Sequence, residues 1–166
     1  MVESVDSLLT KKAIAMFEKF GIFTKAELTS RVEILYETYS KSINIEAMTM
    51  LDMAGKQIIP AAIRYTGSLG ESVISVSGAG GNASVQSELL ERCGTELVKM
   101  KKAQDKLKKD LEKAGKIADG KKKAMFYKDV ICTDMAALRA PADALEMMVD
   151  KEMWPFPTYG DILFEV

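Results

Sequence analysis

Histidine is absent from the 166 residues, and tryptophan occurs once, at Trp154. Without imidazole, the commonest general base, the usual activation of serine or cysteine nucleophiles and most zinc and iron sites drop out. Carboxylates, lysine or bound Mg²⁺ can still serve an enzyme, so the gap lowers the case for a self-contained catalyst without closing it. Only two cysteines are present, Cys93 and Cys132, too few for a disulfide framework and suited to a reducing compartment. No uninterrupted apolar run reaches the ~18 residues that a membrane-spanning helix needs. The chain opens Met1-Val-Glu-Ser-Val-Asp, acidic where a signal peptide is basic, and the expected location is the cytoplasm. Charge of one sign is also missing: the net charge is −1, which gives no general electrostatic reason to expect nucleic acid or an anionic membrane as partner.

What is present suits one globular domain over residues 1–166, with 48% apolar and 28% charged residues. Thr10 can cap a short helix with Ile14, Phe17 and Phe20 at helical spacing, ended by Gly21. Thr24-Lys-Ala-Glu27 reads as a capping box opening a longer helix, with Leu28, Val32, Leu35 and Tyr39 as its buried stripe. Between Ile43 and Met53 apolar residues occupy nearly every face, which predicts a stretch wrapped by other helices. Pro60 should kink or end that helix near Ile58. The glycine-punctuated residues 67–82 include Val73-Ile-Ser-Val, whose alternation suggests a strand, and Asn82 or Ser84 can cap the next helix.

In that next helix Leu90, Cys93, Leu97, Met100, Gln104, Leu107, Leu111 and Ala114 recur alternately three and four apart, an a/d seam. Gly115 and Gly120 mark a turn. A last long helix follows, with Tyr127, Ile131, Met135 and Leu138 on one stripe, a kink or restart at Pro141, and continuation through Leu145, Met148 and Val149. The fold class expected is all-α: an antiparallel helical bundle of long amphipathic helices, with a kinked helix and an extended aromatic C-terminal tail.

Several signals carry a sharp and a plain reading. Gly78-Ala-Gly80-Gly81 before a helix start imitates a dinucleotide-binding turn, but Ala83 stands at the third glycine position and no second strand or ribose-binding acid follows. A loop between helices is the better reading. The lysines of residues 99–123 are interleaved with Asp105, Asp110, Glu112 and Asp119 and lack aromatics to stack on bases, so a solvated hairpin tip is expected. Cys93 and Cys132 read as small buried hydrophobes. Glu46 or Asp52, beside Met48, Met50 and Met53, would be a costly buried acid unless Arg31, Arg64 or Arg139 pairs with it. Arg139 and Asp143 straddle Pro141 at a spacing suited to a local ion pair.

The tail is the most distinctive segment. Two prolines flank Phe156, which excludes helix interior at 154–157, and Trp154, Phe156, Tyr159 and Phe164 crowd into it. Leu138-Arg-Ala-Pro-Ala-Asp-Ala-Leu-Glu and Trp154-Pro-Phe-Pro-Thr-Tyr-Gly-Asp-Ile-Leu-Phe together resemble the extreme C-terminus of type III glutamine synthetases. Phe17-Glu-Lys-Phe-Gly-Ile-Phe-Thr-Lys-Ala-Glu-Leu-Thr-Ser-Arg-Val-Glu-Ile and Ile45-Glu-Ala-Met-Thr-Met-Leu-Asp-Met-Ala, continuing to Ile59-Pro-Ala-Ala-Ile-Arg-Tyr, resemble the same family in the same order. The resemblance implies the helical, non-catalytic region that follows the catalytic domain, cut from a parent that ligates ammonia to glutamate with ATP and Mg²⁺. It transfers no catalytic, cofactor-binding or metal-binding residue to this chain. It implies packing on the catalytic domain of the same chain and membership of a homo-oligomer, with Trp154, Phe156, Tyr159 and Phe164 as the candidate interface; folding of the tail onto its own bundle is the open alternative. A stand-alone helical interaction protein related to that domain is the rival reading of function.

Overall fold

The computed structural model describes residues 2–157 and 159–164. Its elements are α1 (Val2–Val5), a 3₁₀ turn (Asp6–Leu9), α2 (Lys11–Lys19), α3 (Lys25–Met53), a π-helical turn (Ala54–Ile58), α4 (Ile59–Gly78), α5 (Ser84–Gly115), α6 (Gly120–Phe126), a second π turn (Tyr127–Ile131), α7 (Cys132–Glu146) and α8 (Tyr159–Phe164). The described residues contain helices and no strand, so the class is all-α.

Local hydrogen bonds explain where the helices start. Thr10 accepts from the Ala13 amide. Thr24 and Glu27 form the reciprocal pair of a capping box: the Glu27 amide donates to Thr24 Oγ1 at 3.3 Å, and the Thr24 amide to Glu27 Oε2 at 2.7 Å. Asn82 accepts from the Ser84 amide at the head of α5, and Asp119 from the Lys122 amide at the head of α6.

Glycines close two of the helices. The Gly81 amide donates to Val76 O at 2.8 Å and the Gly80 amide to Ser77 O at 3.0 Å, with Gly80 at φ +81°. That is the double bond of a Schellman end, which requires the left-handed conformation at its penultimate residue. A Cβ on Gly81 would fall 3.2 Å from Val76 O. The glycine cluster therefore stops α4, and its side-chain-free positions answer the needs of a helix end. The same pattern recurs at Gly21, φ +63°, with Ile22 donating to Phe17 O and Gly21 to Glu18 O.

Several expectations are corrected. Residues 73–76 lie inside α4, not in a strand; the alternation of Val73-Ile-Ser-Val is too short to outweigh a continuous helical track with its own closing motif. Of the kink or end expected near Ile58, the structure shows a π-helical interruption that closes there, not a stop. The track passes through the π turn, where the Ile59 amide reaches back five residues to Ala54 O, and Pro60 then occupies the first turn of α4, where a missing amide is tolerated. The buried stripe of α3 is Leu28, Val32, Tyr36 and Ser40, with Leu35 exposed. Ile45 and Met48 are also exposed, so the stretch 43–53 is not wrapped on all faces. On the last helix Asp134, not Met135, takes the buried position. All eight residues of the α5 seam are buried or half-buried, and Gln104, its one polar member, turns its amide to Leu51 O. After α7 the chain is non-helical over 147–157 and then becomes helical again in α8, where an extended run was expected.

The chain divides into two compact units. The first comprises Met1–Met48 and Lys108–Thr133. Its core gathers Val2, Val32, Tyr36 and Ala124, with Val5, Leu8, Leu9, Tyr39 and Met125 packed around them. Polar ties hold the N-terminal segment there: Tyr36 donates to Asp6 Oδ1 at 2.6 Å, Lys121 pairs with Asp6, and Lys128 with Glu3. Lys121 and then Tyr36 hold the Asp6 carboxyl below its usual range. The second unit comprises Thr49–Leu107 and Asp134–Val166, with Ala61, Ala62, Cys93, Met100, Leu107, Leu138 and Leu145 fully buried or nearly so.

Burial, and then the Asp6 contact, push the Tyr36 phenol up to about 12. A phenol raised by folding stabilises the fold below its ordinary value of 10, and that contribution is lost as pH rises through about 12. Tyr36→Phe is therefore expected to flatten the alkaline loss of stability in that window, read from urea unfolding at successive pH values. An unchanged profile would assign the alkaline sensitivity to other tyrosines.

Candidate functional site

The C-terminal segment is built from Asp150. Its side chain accepts from the Glu152 amide at 2.7 Å, and its carbonyl accepts from the Met153 and Trp154 amides at 3.0 and 2.9 Å. This turn follows the end of α7, where the Met148 and Val149 amides both donate to Leu145 O. Together they fold the chain back so that Trp154 enters its own unit, 9% exposed. Phe156 meets it edge to face with ring centroids 6.2 Å apart. Lys151 then pairs with Asp161, tying the turn to α8.

The four aromatics named from the sequence thus part company. Trp154 is buried and Phe156 half-buried, whereas Phe164 is 81% exposed. The side chain of Tyr159 lies outside the described residues. Ile162 and Leu163 are exposed beside Phe164, and Met147 is exposed at the end of α7. Short α8 therefore presents Ile162, Leu163 and Phe164 to solvent.

Trp154 and Phe156 also wall a cleft of about 310 Å³, with Met50, Met53, Ala54, Ile58, Met100, Leu138 and Ala142 as its apolar lining and Arg139, Asp143 and Glu146 at its rim. Nothing in the local sequence marks this cleft, because its lining comes from three helices and the tail. The methionine spacing around residues 48–53 was the only available signal.

Elsewhere the expected pairing of Glu46 or Asp52 with Arg31, Arg64 or Arg139 is not formed among the described residues. Burial pushes the Cys93 thiol up, the opposite of an activated nucleophile. Cys132 is half-buried, with Sγ 4.0 Å from the Tyr39 hydroxyl. Glu46 and Asp52 are exposed, and Asp52 pairs with Lys56. The buried acids are instead Asp134 and Asp110, paired with Lys106 and Lys113. Arg31 stacks over Phe23, 4.2 Å from its centroid, and Arg139 reaches Asp143 at 3.3 Å. Among the described residues no three histidine, cysteine or acidic side chains converge in a way that could hold a metal ion. No helix among them is long and apolar enough to cross a membrane.

These features define a histidine-free chain whose described elements are all helical. Residues 1–77 match the family described as the glutamine synthetase C-terminal domain. The glutamine synthetase of Butyrivibrio fibrisolvens is 32% identical over 160 residues, covering 95% of this chain and 23% of its own length. The type-3 glutamine synthetase of Dictyostelium discoideum is 29% identical over 172 residues, covering 98% and 23%. The glutamine synthetase of Bacteroides fragilis (strain YCH46) is 30% identical over 151 residues, covering 86% and 20%. The chain thus spans less than a quarter of the length of these relatives, and the part it matches is their C-terminal region. Its first 77 residues are similar to that domain, and nearly the whole chain is similar to part of these glutamine synthetases.

Proposed function

We propose that this chain is the non-catalytic C-terminal domain of a type III glutamine synthetase and that it serves subunit packing and assembly of the parent enzyme. The observation that carries this reading is the match of almost the entire chain to the last fifth or so of glutamine synthetases, one of them a type-3 enzyme. In this proposal the parent activates glutamate with ATP and Mg²⁺ and ligates ammonia to it. The chain's own residues do not fit that chemistry: they supply no histidine and, among the described residues, no converging acidic set for Mg²⁺. ATP and Mg²⁺ would be held by the catalytic domain of the same polypeptide, against which this domain packs.

The exposed Ile162, Leu163 and Phe164 support a role in assembly, since burying such a cluster against a neighbouring subunit removes apolar surface from water. Introducing Leu163→Asp with Phe164→Asp into the full-length synthetase is expected to yield smaller particles by light scattering. The melting temperature of the 166-residue chain should stay unchanged, because both side chains face solvent. An unaltered particle mass would overturn the assembly role.

A further inference from the structure

The cleft beside Trp154 is a built cavity that none of the preceding roles uses. Its floor is buried: Met100 and Leu138 are 0% and 2% exposed, Ala54 2% and Ile58 8%. Its upper wall is the edge-to-face pair of Trp154 and Phe156, and Met50 and Met53 complete the lining. Protein interiors rarely leave such spaces unfilled, and an apolar cavity of about 150 Å³ already takes up benzene. At about 310 Å³ the cleft has room for an aromatic ring with a short side chain.

The lining is suited to an adaptable fit. Three methionines, unbranched and polarisable, can reshape around a guest. Two of the walls are not regular α-helix: the π turn Ala54–Ile58, a feature frequent at functional sites, and the non-helical segment carrying Trp154 and Phe156.

Charge at the rim selects the kind of guest. Arg139 is engaged by Asp143 at 3.3 Å, which neutralises both. Glu146, the third rim group, has no cationic partner among the described residues. The mouth of the cleft therefore carries one uncompensated negative charge above an apolar floor. We propose that this cleft is a binding site for a small apolar amine, its hydrocarbon body seated among Met50, Met53, Met100 and Leu138 beneath Trp154, and its ammonium paired with Glu146.

Trp154 is the only tryptophan in the chain, so its fluorescence reports directly on the cleft. Phenethylamine titrated into the 166-residue protein is expected to give a saturable change in that signal. Phenylacetate, with the same ring and the opposite charge, should bind more weakly. Glu146→Gln, an exposed position, should weaken the amine by about fivefold and erase its advantage over the acid. Ala142→Phe, which fills the space, should abolish the response while the circular dichroism spectrum is retained. The proposal is overturned if phenethylamine gives no saturable change, if the acid binds as well as the amine, or if Glu146→Gln leaves the preference intact. A fluorescence change that tracks protein concentration without added amine also overturns it, because the occupant would then be a side chain of a second copy.

Discussion

Replacing Trp154 by alanine is expected to destabilise the chain by about 3–5 kcal/mol, the usual cost of truncating a buried tryptophan. For a protein of this size that corresponds to roughly 10 °C in melting temperature. The argument rests on position. Trp154 is 9% exposed and, with Phe156, walls the methionine-lined cleft, so its loss takes away a buried wall of that cleft. The segment that delivers it is tied by the Asp150 turn and the Lys151–Asp161 pair, and the indole is its buried anchor. Phe164→Ala, ten residues further on and 81% exposed, should leave stability within about 0.5 kcal/mol, as substitutions of solvent-facing side chains usually do. Thermal and urea unfolding of both variants give the comparison. A loss below about 1 kcal/mol for Trp154→Ala would mean that the tail is fastened by something other than the indole.

Lys106→Ala is expected to cost about 2–4 kcal/mol, far more than an exposed lysine ordinarily contributes. The reason lies in its partner. Asp134 is 2% exposed, its Oδ1 is held by the Lys106 ammonium, and its Oδ2 has no partner in the protein. Removing the cation leaves a desolvated carboxylate without its main compensation, and the penalty belongs to the stranded charge rather than to the lost pair. The estimate sits toward the lower end because the Lys106 side chain is 60% exposed, so water can take part of its place. The test is a cycle: adding Asp134→Leu to Lys106→Ala should recover most of the loss, since no charge then remains to be stranded. Equal and additive losses from the two single changes, with no recovery, would show that Asp134 is not carried by Lys106.

The places where sequence reasoning succeeded and failed have a common cause. The α3 stripe was displaced by one residue, from Leu35 to Tyr36, because both are apolar and their difference is set by Asp6, thirty residues away, which accepts the Tyr36 hydroxyl. Asp134 displaced Met135 for the same kind of reason: a lysine twenty-eight residues earlier makes an acid tolerable inside. Val73-Ile-Ser-Val reads as a strand because four residues carry too little pattern to show that α4 runs on to the Schellman end at Gly80. The aromatic tail was recognised as distinctive, yet nothing in its composition separates the ring that turns in from the one that stays out. The cleft was invisible, since its wall residues are distributed from Met50 to Phe156.

By itself the sequence determined the helical class, the starts of α2 and α3 at Thr10 and Thr24, the stop at Gly21, the seam of α5 and the relationship to glutamine synthetases. Each of these is written in a few neighbouring residues or in a short repeat: a cap is satisfied within three or four positions, and a seam repeats every seven. Only the tertiary structure decided that Trp154 is a core residue while Phe164 is surface, that Asp134 rather than Glu46 or Asp52 is the buried acid, and that Met50, Met53 and Met100 face one cleft. Burial is a property of what arrives from elsewhere in the chain, and the energies that fix it are contacts between residues far apart in sequence.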